Sequence, residues 1–156
     1  MKVVLDTSSI IYLNDFRKFD EIITVQDVID EVKDTKTAMK LSGLKLKIIE
    51  PTEKSMRKIK KIAKQTGDME KLSQTDVKVL ATALENESTI ISDDRNIQNV
   101  AEKIGVNYVS LFSEKITKLI TWKKFCSNCK KYFEGKFCPV CGGELKRVPE
   151  KTVSIE

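Results

Sequence analysis

The chain has 156 residues, a third of them charged, with a formal net charge of +5 and no histidine. That length accommodates one core of roughly 120 residues plus a module too small to fold alone. The missing histidine excludes imidazole acid–base catalysis and histidine-ligated metals, and no apolar run is long enough to suggest a membrane span.

Lys2–Leu5 is a short β-branched run ending at Asp6 and is predicted as a buried strand. Asp6-Thr7-Ser8-Ser9 offers capping side chains to a helix through Ile10 and Leu13. Thr24 is expected to cap the next helix, with Asp27 at the capping-box offset, Val25, Val28, Ile29 and Val32 inward, and Glu31 beside that face. A short helix through Ala38, Met39 and Leu41 is expected to stop at Gly43.

Lys45–Ile49 is predicted as a second strand. Thr52 then opens a helix whose apolar stripe is Met56, Ile59, Ile62 and Ala63; Lys54, Arg57, Lys58, Lys60, Lys61 and Lys64 lie opposite. Gly67 ends it. Ser73–Asp76 forms a capping box ahead of Val77, Val79, Leu80 and Ala83. Thr89–Ile91 is the third strand and runs directly into Ser92, Asp93 and Asp94; a helix to Gly105, a fourth strand over Val106–Val109 and a short helix over Glu114–Ile120 follow. Strands alternating with helices predict an α/β fold, a parallel sheet flanked by helices. In such sheets the working residues collect beyond the carboxyl ends of the strands.

All four cysteines fall between Lys124 and Gly143, as Cys126/Cys129 and Cys138/Cys141, two Cys-x-x-Cys pairs eight residues apart. Two such hairpins facing each other offer four thiolates in a tetrahedron, which predicts one structural Zn²⁺ with no open coordination position. The alternatives are disulfides or a redox dithiol. Met1-Lys2-Val3 opens straight into a strand, with no leader expected, and a reducing cytoplasm favours metal. Gly142 and Gly143 allow the positive-φ turn a knuckle needs. Residues 1–121 are therefore expected to form the α/β domain with its connecting helix, and 122–156 a zinc ribbon and tail. From Trp122 onward there are eight Lys/Arg against four Asp/Glu, so the ribbon is the basic module.

Asp6 and Asp93/Asp94 each end a predicted strand, Asp76 lies in the first turn of its helix, and Glu31 flanks an inward stripe. Carboxylates gathered at one rim repel one another unless a cation neutralises them, and hard Mg²⁺ or Mn²⁺ suits carboxylate and water ligands. Such ions support phosphodiester hydrolysis. Each acid also has a plainer role: Asp76 as a capping-box member, Asp93-Asp94 as a turn and cap, Glu31 as a solvated helix residue. Asp6 is the hardest to explain away, because an acid directly after a buried strand is costly unless it is paired or capping.

The succession Asp-Thr-Ser after a strand, Val-Ile-Asp-Glu-Val, Leu-Ser-Gln-Thr-Asp-Val-Lys-Val-Leu-Ala and Ile-Ile-Ser-Asp-Asp-Arg-Asn-Ile-Gln-Asn-Val-Ala resembles the PIN-domain ribonucleases over roughly residues 1–112. The four-cysteine ribbon and the Asp93–Val100 segment resemble the archaeal Nob-type branch, endonucleases that trim the 3′ end of small-subunit ribosomal RNA. The resemblance implies metal-dependent cleavage of single-stranded precursor rRNA in the pre-ribosomal small subunit. It places Asp6, Glu31, Asp76 and Asp94 at the positions of the metal-binding acids, with Asp93 adjacent and Ser8 and Thr75 as small polar neighbours. Adjacent residues leaving a strand point in different directions, so only one of the pair is expected as a ligand, and the resemblance favours Asp94. The compact chain lacks the insertions of larger relatives.

Lys58 and Lys61 on the basic helix, with Lys123, Lys124, Lys130 and Lys131 around the ribbon, are the candidate phosphate contacts. The basic helix face has a solvated surface as its alternative. Phe125, Tyr132, Phe133 and Phe137 interleave with the ribbon lysines and are suited either to base stacking or to packing the knuckles. Trp122 is expected to pack the two domains together. Two further functions compete: a toxin-type PIN ribonuclease, and a zinc-ribbon RNA- or protein-binding module on a silent PIN-like domain.

Overall fold

The structure, a computed structural model, describes residues 1–112 and 116–155. Strand β1 (Lys2–Leu5) lies at the centre of a parallel five-stranded sheet, with β2 (Glu21–Thr24) and β3 (Leu46–Ile48) on one side and β4 (Thr89–Ile91) and β5 (Tyr108–Val109) on the other, in the order β3-β2-β1-β4-β5. Val3, Val4, Leu5, Ile23 and Ile90 are fully buried, as strands covered on both faces must be. Burying each such side chain contributes about 1.5–3 kcal/mol.

Helix α1 (Thr7–Tyr12) follows β1, and α2 (Gln26–Glu31) and α3 (Thr35–Ser42) follow β2. Helix α4 (Glu53–Thr66) buries Met56, Ile59, Ala63 and Thr66 and leaves its lysine-rich face outward. A 3-10 turn at Met69–Lys71 leads to α5 (Gln74–Glu85), and α6 (Arg95–Ile104) follows β4. The α4 cap residue Thr52 donates both its N–H (2.8 Å) and its hydroxyl (2.5 Å) to the carboxylate of Glu85 at the far end of α5. The two helices are thus antiparallel, and the α4 C-terminus lies at the same end as the start of α5.

Three expectations change. The strand at Glu21–Thr24 comes before the one expected second, making five strands. Thr24 is its last residue and fully buried, so its hydroxyl donates to the Leu5 carbonyl (2.9 Å) instead of capping α2. That helix starts at Val25 with no side-chain cap, and the Thr24–Asp27 box does not form. Finally, the helix expected over Glu114–Ile120 falls partly on 114–115, outside the described residues. Its end, Lys118–Ile120, opens strand β6 (Lys118–Cys126), where pairing with β8 (Lys146–Ser154) overrides any helical preference.

Strands β6, β7 (Lys131–Tyr132) and β8 form a second, antiparallel sheet in the order β7-β6-β8. Its longest pair runs from Lys118↔Ser154 to Phe125↔Lys146, with a bulge at Thr121/Trp122. The sheet thus begins ahead of Trp122 and reaches back to the α/β domain, where Asn99 and Asp68 receive it.

Candidate active site and metal centre

Strand order reverses between β1 and β4: the chain leaves β1 toward β2 and β3, then returns to β4 on β1's other side. Open α/β sheets bind ligands in the crevice at that switch point, outside the carboxyl ends. Leu5 and Ile91 are register partners, so the residues that follow them, Asp6 and Ser92-Asp93-Asp94, leave the sheet level with each other. The α5 helix feeds into β4 and so begins at the same edge, which brings in Asp76.

Each carboxylate is fixed by local backbone chemistry. Asp6, nearly buried, is the N-cap of α1; its Oδ1 accepts from the Ser9 N–H (2.8 Å) and the Ser8 hydroxyl (3.1 Å). Asp76 completes the capping box expected from the sequence, accepting from the Ser73 N–H (2.8 Å), while the Ser73 hydroxyl receives the Asp76 N–H (3.1 Å). Asp94 caps α6, accepting from Asn96 N–H (2.7 Å), and its own N–H is held by Ser92 Oγ (3.1 Å). Glu31, at the end of α2, spans the rim: its two oxygens accept from Thr7 Oγ1 (2.5 Å) and Thr75 Oγ1 (2.7 Å), the neighbours of Asp6 and Asp76. Thr7 was not among the candidates. Its place immediately after Asp6 on a helix start is the signal that was available.

The adjacent pair divides. Asp93 Oδ1 accepts the N–H groups of Leu111 (3.0 Å) and Phe112 (3.2 Å), anchoring the chain after β5. Asp94 faces the other acids: burial raises the Asp76 pKa, and the charges of Asp94 and Asp6 raise it further, against the lowering effect of the Ser73 hydrogen bonds. Two neighbouring carboxylates thus add to burial in disfavouring the ionised form of Asp76, and a cation held among them would relieve that repulsion. The donor set, hard oxygens only, fits a divalent ion. Among the described residues the carboxylates do not gather within 4.8 Å of one another as a group.

The cysteines are drawn in that closely. Cys126 and Cys141 sulfurs are 3.5 Å apart and Cys129 and Cys138 sulfurs 3.8 Å; a tetrahedron with Zn–S of about 2.3 Å has edges of about 3.8 Å. Each knuckle folds alike: Lys130 N–H bonds the Cys126 carbonyl (2.8 Å) and Gly142 N–H the Cys138 carbonyl (2.9 Å). Both residues sit at positive φ, 57° and 73°. Backbone N–H groups of Cys129 and Cys141 point at the first sulfur of their own pair, at 3.4 and 3.5 Å. The Gly143 backbone N–H leads the effects that lower the Cys141 thiol to about 6, while burial and the neighbouring sulfurs push the Cys129 thiol up to about 12, so the four thiols share their protons unevenly.

Of the candidate phosphate contacts, Lys58, Lys61, Lys130 and Lys131 are exposed. Lys123 is held by Glu150 (2.7 Å) and Lys124 by Glu70 (3.1 Å). Trp122 does join the domains: its backbone lies against Gly67, and Arg147 stacks on its ring at 4.1 Å.

A model of the PIN domain of ribonuclease matches residues 3–85. Endoribonuclease Nob1 of Pyrococcus abyssi is 36% identical, the match covering 97% of this chain and 96% of the relative. Endoribonuclease Nob1 of Archaeoglobus fulgidus is also 36% identical, over 93% and 90%. Ribonuclease VapC1 of Thermoplasma acidophilum is 36% identical over 99% of this chain and 82% of its own length. With acids at the switch point, a four-cysteine ribbon and similarity running through both, the chain belongs to the PIN-domain ribonucleases and, among them, to the archaeal Nob1 endoribonucleases.

Proposed function

We propose that this endoribonuclease cleaves single-stranded precursor rRNA at the 3′ end of the small-subunit rRNA, acting on the pre-ribosomal small subunit in the cytoplasm. The observation that carries the active site is Asp76, half-buried and within reach of the charges of Asp6 and Asp94. Asp6, Asp76 and Asp94 would hold Mn²⁺ or Mg²⁺, which when bound supplies charge neutralisation and Lewis-acid activation of a phosphodiester. The protein's own contribution is orientation. Ser8 and Ser9 aim Asp6, the α6 N-terminus aims Asp94, and Thr7 and Thr75 hold Glu31 across the opening. One Zn²⁺ on Cys126, Cys129, Cys138 and Cys141 holds the ribbon and takes no part in the chemistry.

The test is Asp6→Asn, which keeps a capping side chain and removes one charge. It is expected to abolish Mn²⁺-dependent cleavage of an RNA spanning the 3′ end of the small-subunit rRNA, with zinc content and RNA affinity retained. Surviving cleavage would overturn the site. Efficient cleavage of unrelated RNAs in place of this one would favour the toxin-type reading.

A further inference from the structure

A groove of about 770 Å³ opens where the C-terminal end of α4 meets the ribbon. Its lining combines Trp122, Tyr132 and Phe133 with Lys64, Lys123 and Arg147. The size is that of a small-ligand site, and a domain junction is where such sites concentrate. Two acids also line it, Glu70 and Glu134. Glu70 is engaged by Lys124 at 3.1 Å and by Arg147 at 3.9 Å.

Three features choose among occupants. Tyr132 is 53% exposed although it belongs to the sheet, with its ring 5.2 Å from Phe125 and Lys123 Nζ 5.9 Å from its centroid. The ring is thus met by an aromatic and a cation and still leaves about half of its residue surface open. Lys64 has no ion-pair partner among the described residues and ends a row of exposed cations, Lys54, Arg57, Lys58 and Lys61, along α4. Finally, Trp122 and Arg147 also line a second cavity, of about 340 Å³, whose other walls include Arg95 and Asn96, the two residues after Asp94. Asn96 bonds the Asp94 carboxylate directly. The two cavities therefore share a wall, and the second borders the catalytic rim.

We infer that the groove is a nucleotide subsite of the RNA substrate: an unpaired base stacks on Tyr132 while Lys64 takes its phosphate, and the strand passes over Trp122 and Arg147 to the acids. Aromatic platforms flanked by cations are how proteins hold single-stranded RNA without regard to sequence. The inference rests on the ribonuclease reading and adds a place where both domains grip the strand together.

Trp122 is the sole tryptophan of the chain, so its fluorescence reports groove occupancy. The zinc-loaded full chain carrying Asp6→Asn is titrated with single-stranded oligo(A) and oligo(U), while labelled-RNA anisotropy reports total binding. Both signals are expected to saturate together. Tyr132→Ala should weaken binding about tenfold, and Lys64→Gln, an exposed change that leaves the fold intact, should lower the salt slope by about one. In the cleavage-competent chain both changes should raise KM with little change in kcat. RNA binding that leaves Trp122 fluorescence unmoved, with Tyr132→Ala and Lys64→Gln binding normally, would overturn the subsite and leave the groove to a protein partner, with the nuclease reading untouched. Normal groove binding in a chain that cleaves nothing would instead defeat the nuclease reading and leave the subsite standing.

Discussion

Arg147, on the last strand of the ribbon, places Nη2 2.9 Å from Oδ1 of Asp68, a carboxylate whose side chain is 1% exposed. Asn99 of α6 donates to the other oxygen at 2.6 Å and exchanges two hydrogen bonds with the Ile120 backbone, at 2.8 and 2.9 Å. Ribbon, α4 terminus and α6 are thus joined through one buried acid.

Arg147→Ala should leave the Asp68 charge buried with only a neutral partner, and breaking a buried pair from one side costs about 3–5 kcal/mol. Asp68→Asn in the same chain should recover much of the loss. Burial already raises the Asp68 pKa, against the lowering by Asn99, Thr66 and Arg147. A carboxyl whose folded pKa is raised costs stability as pH climbs from its unfolded value through its folded one. The Arg147→Ala defect should therefore shrink on mild acidification. Urea unfolding at two pH values measures this, and a pH-independent defect would rule out the buried charge as its cause.

Gly67 and Gly105 end α4 and α6 in the same left-handed conformation, both at φ 76°. A Cβ on Gly67 would lie 2.1 Å from the Trp122 carbonyl oxygen, whereas one on Gly105 meets nothing within 4 Å. Gly105→Ala should therefore cost only the conformational penalty, about 1 kcal/mol. Gly67→Ala should cost clearly more and loosen the ribbon. Equal losses of thermal stability in the two variants would show that β6 does not pack on Gly67.

Much of this arrangement was legible in the sequence. The capping box at Ser73–Asp76, the glycine stops at Gly67 and Gly105 and the acids that end β1 and β4 are local signals, and they formed as expected. The failures are those where a distant partner decides. Glu21–Thr24 is as long as β1 but ends in a capping side chain that reads as a helix start, and it is a strand because β1 and β3 flank it. Thr24 has a capping side chain, but burial beside Leu5 gives its hydroxyl a better use. Lys118–Ile120 pairs with residues more than thirty positions later. The latch between Asp68, Asn99 and Arg147 joins three polar residues with no shared motif, and no sequence pattern brings them together.

The buried residues of the ribbon are Cys126, Cys138 and Leu145, with Phe133 and Cys129 packed against them. That is too little apolar surface to hold a fold without metal. Zinc removal by a strong chelator should release amide protection across residues 126–145. Protection at Val3–Leu5 and Ile90–Ile91, in a separate core, should remain. One zinc per chain by elemental analysis is the expected stoichiometry, and a knuckle that stays protected after removal would contradict it.

Asp93 and Asp94 are neighbours with different partners, so their asparagine variants should separate. Asp94→Asn preserves the α6 cap but removes a charge facing Asp76, and cleavage should fall by at least a hundredfold. Asp93→Asn should lower thermal stability through the Leu111–Phe112 anchor and leave cleavage within about tenfold. The reverse order of activities would exchange their assignments.

The same charge that catalysis needs should cost stability when no cation is present. Burial and the Asp94 and Asp6 charges raise the Asp76 pKa, so in a chelator selective for Mn²⁺ and Mg²⁺ over zinc the protein should lose stability as pH rises from the ordinary carboxylate range toward neutrality. Asp94→Asn relieves part of that repulsion and should flatten the dependence, melting at or above the parent chain in chelator. Adding Mn²⁺ should reverse the ranking. The parent gains stability by mass action, about 2.7 kcal/mol at a hundredfold excess over Kd, while the variant, lacking a ligand, gains far less. Thermal melts of both chains with and without Mn²⁺ make the comparison. A variant that Mn²⁺ stabilises as much as the parent would mean that Asp94 does not hold the ion.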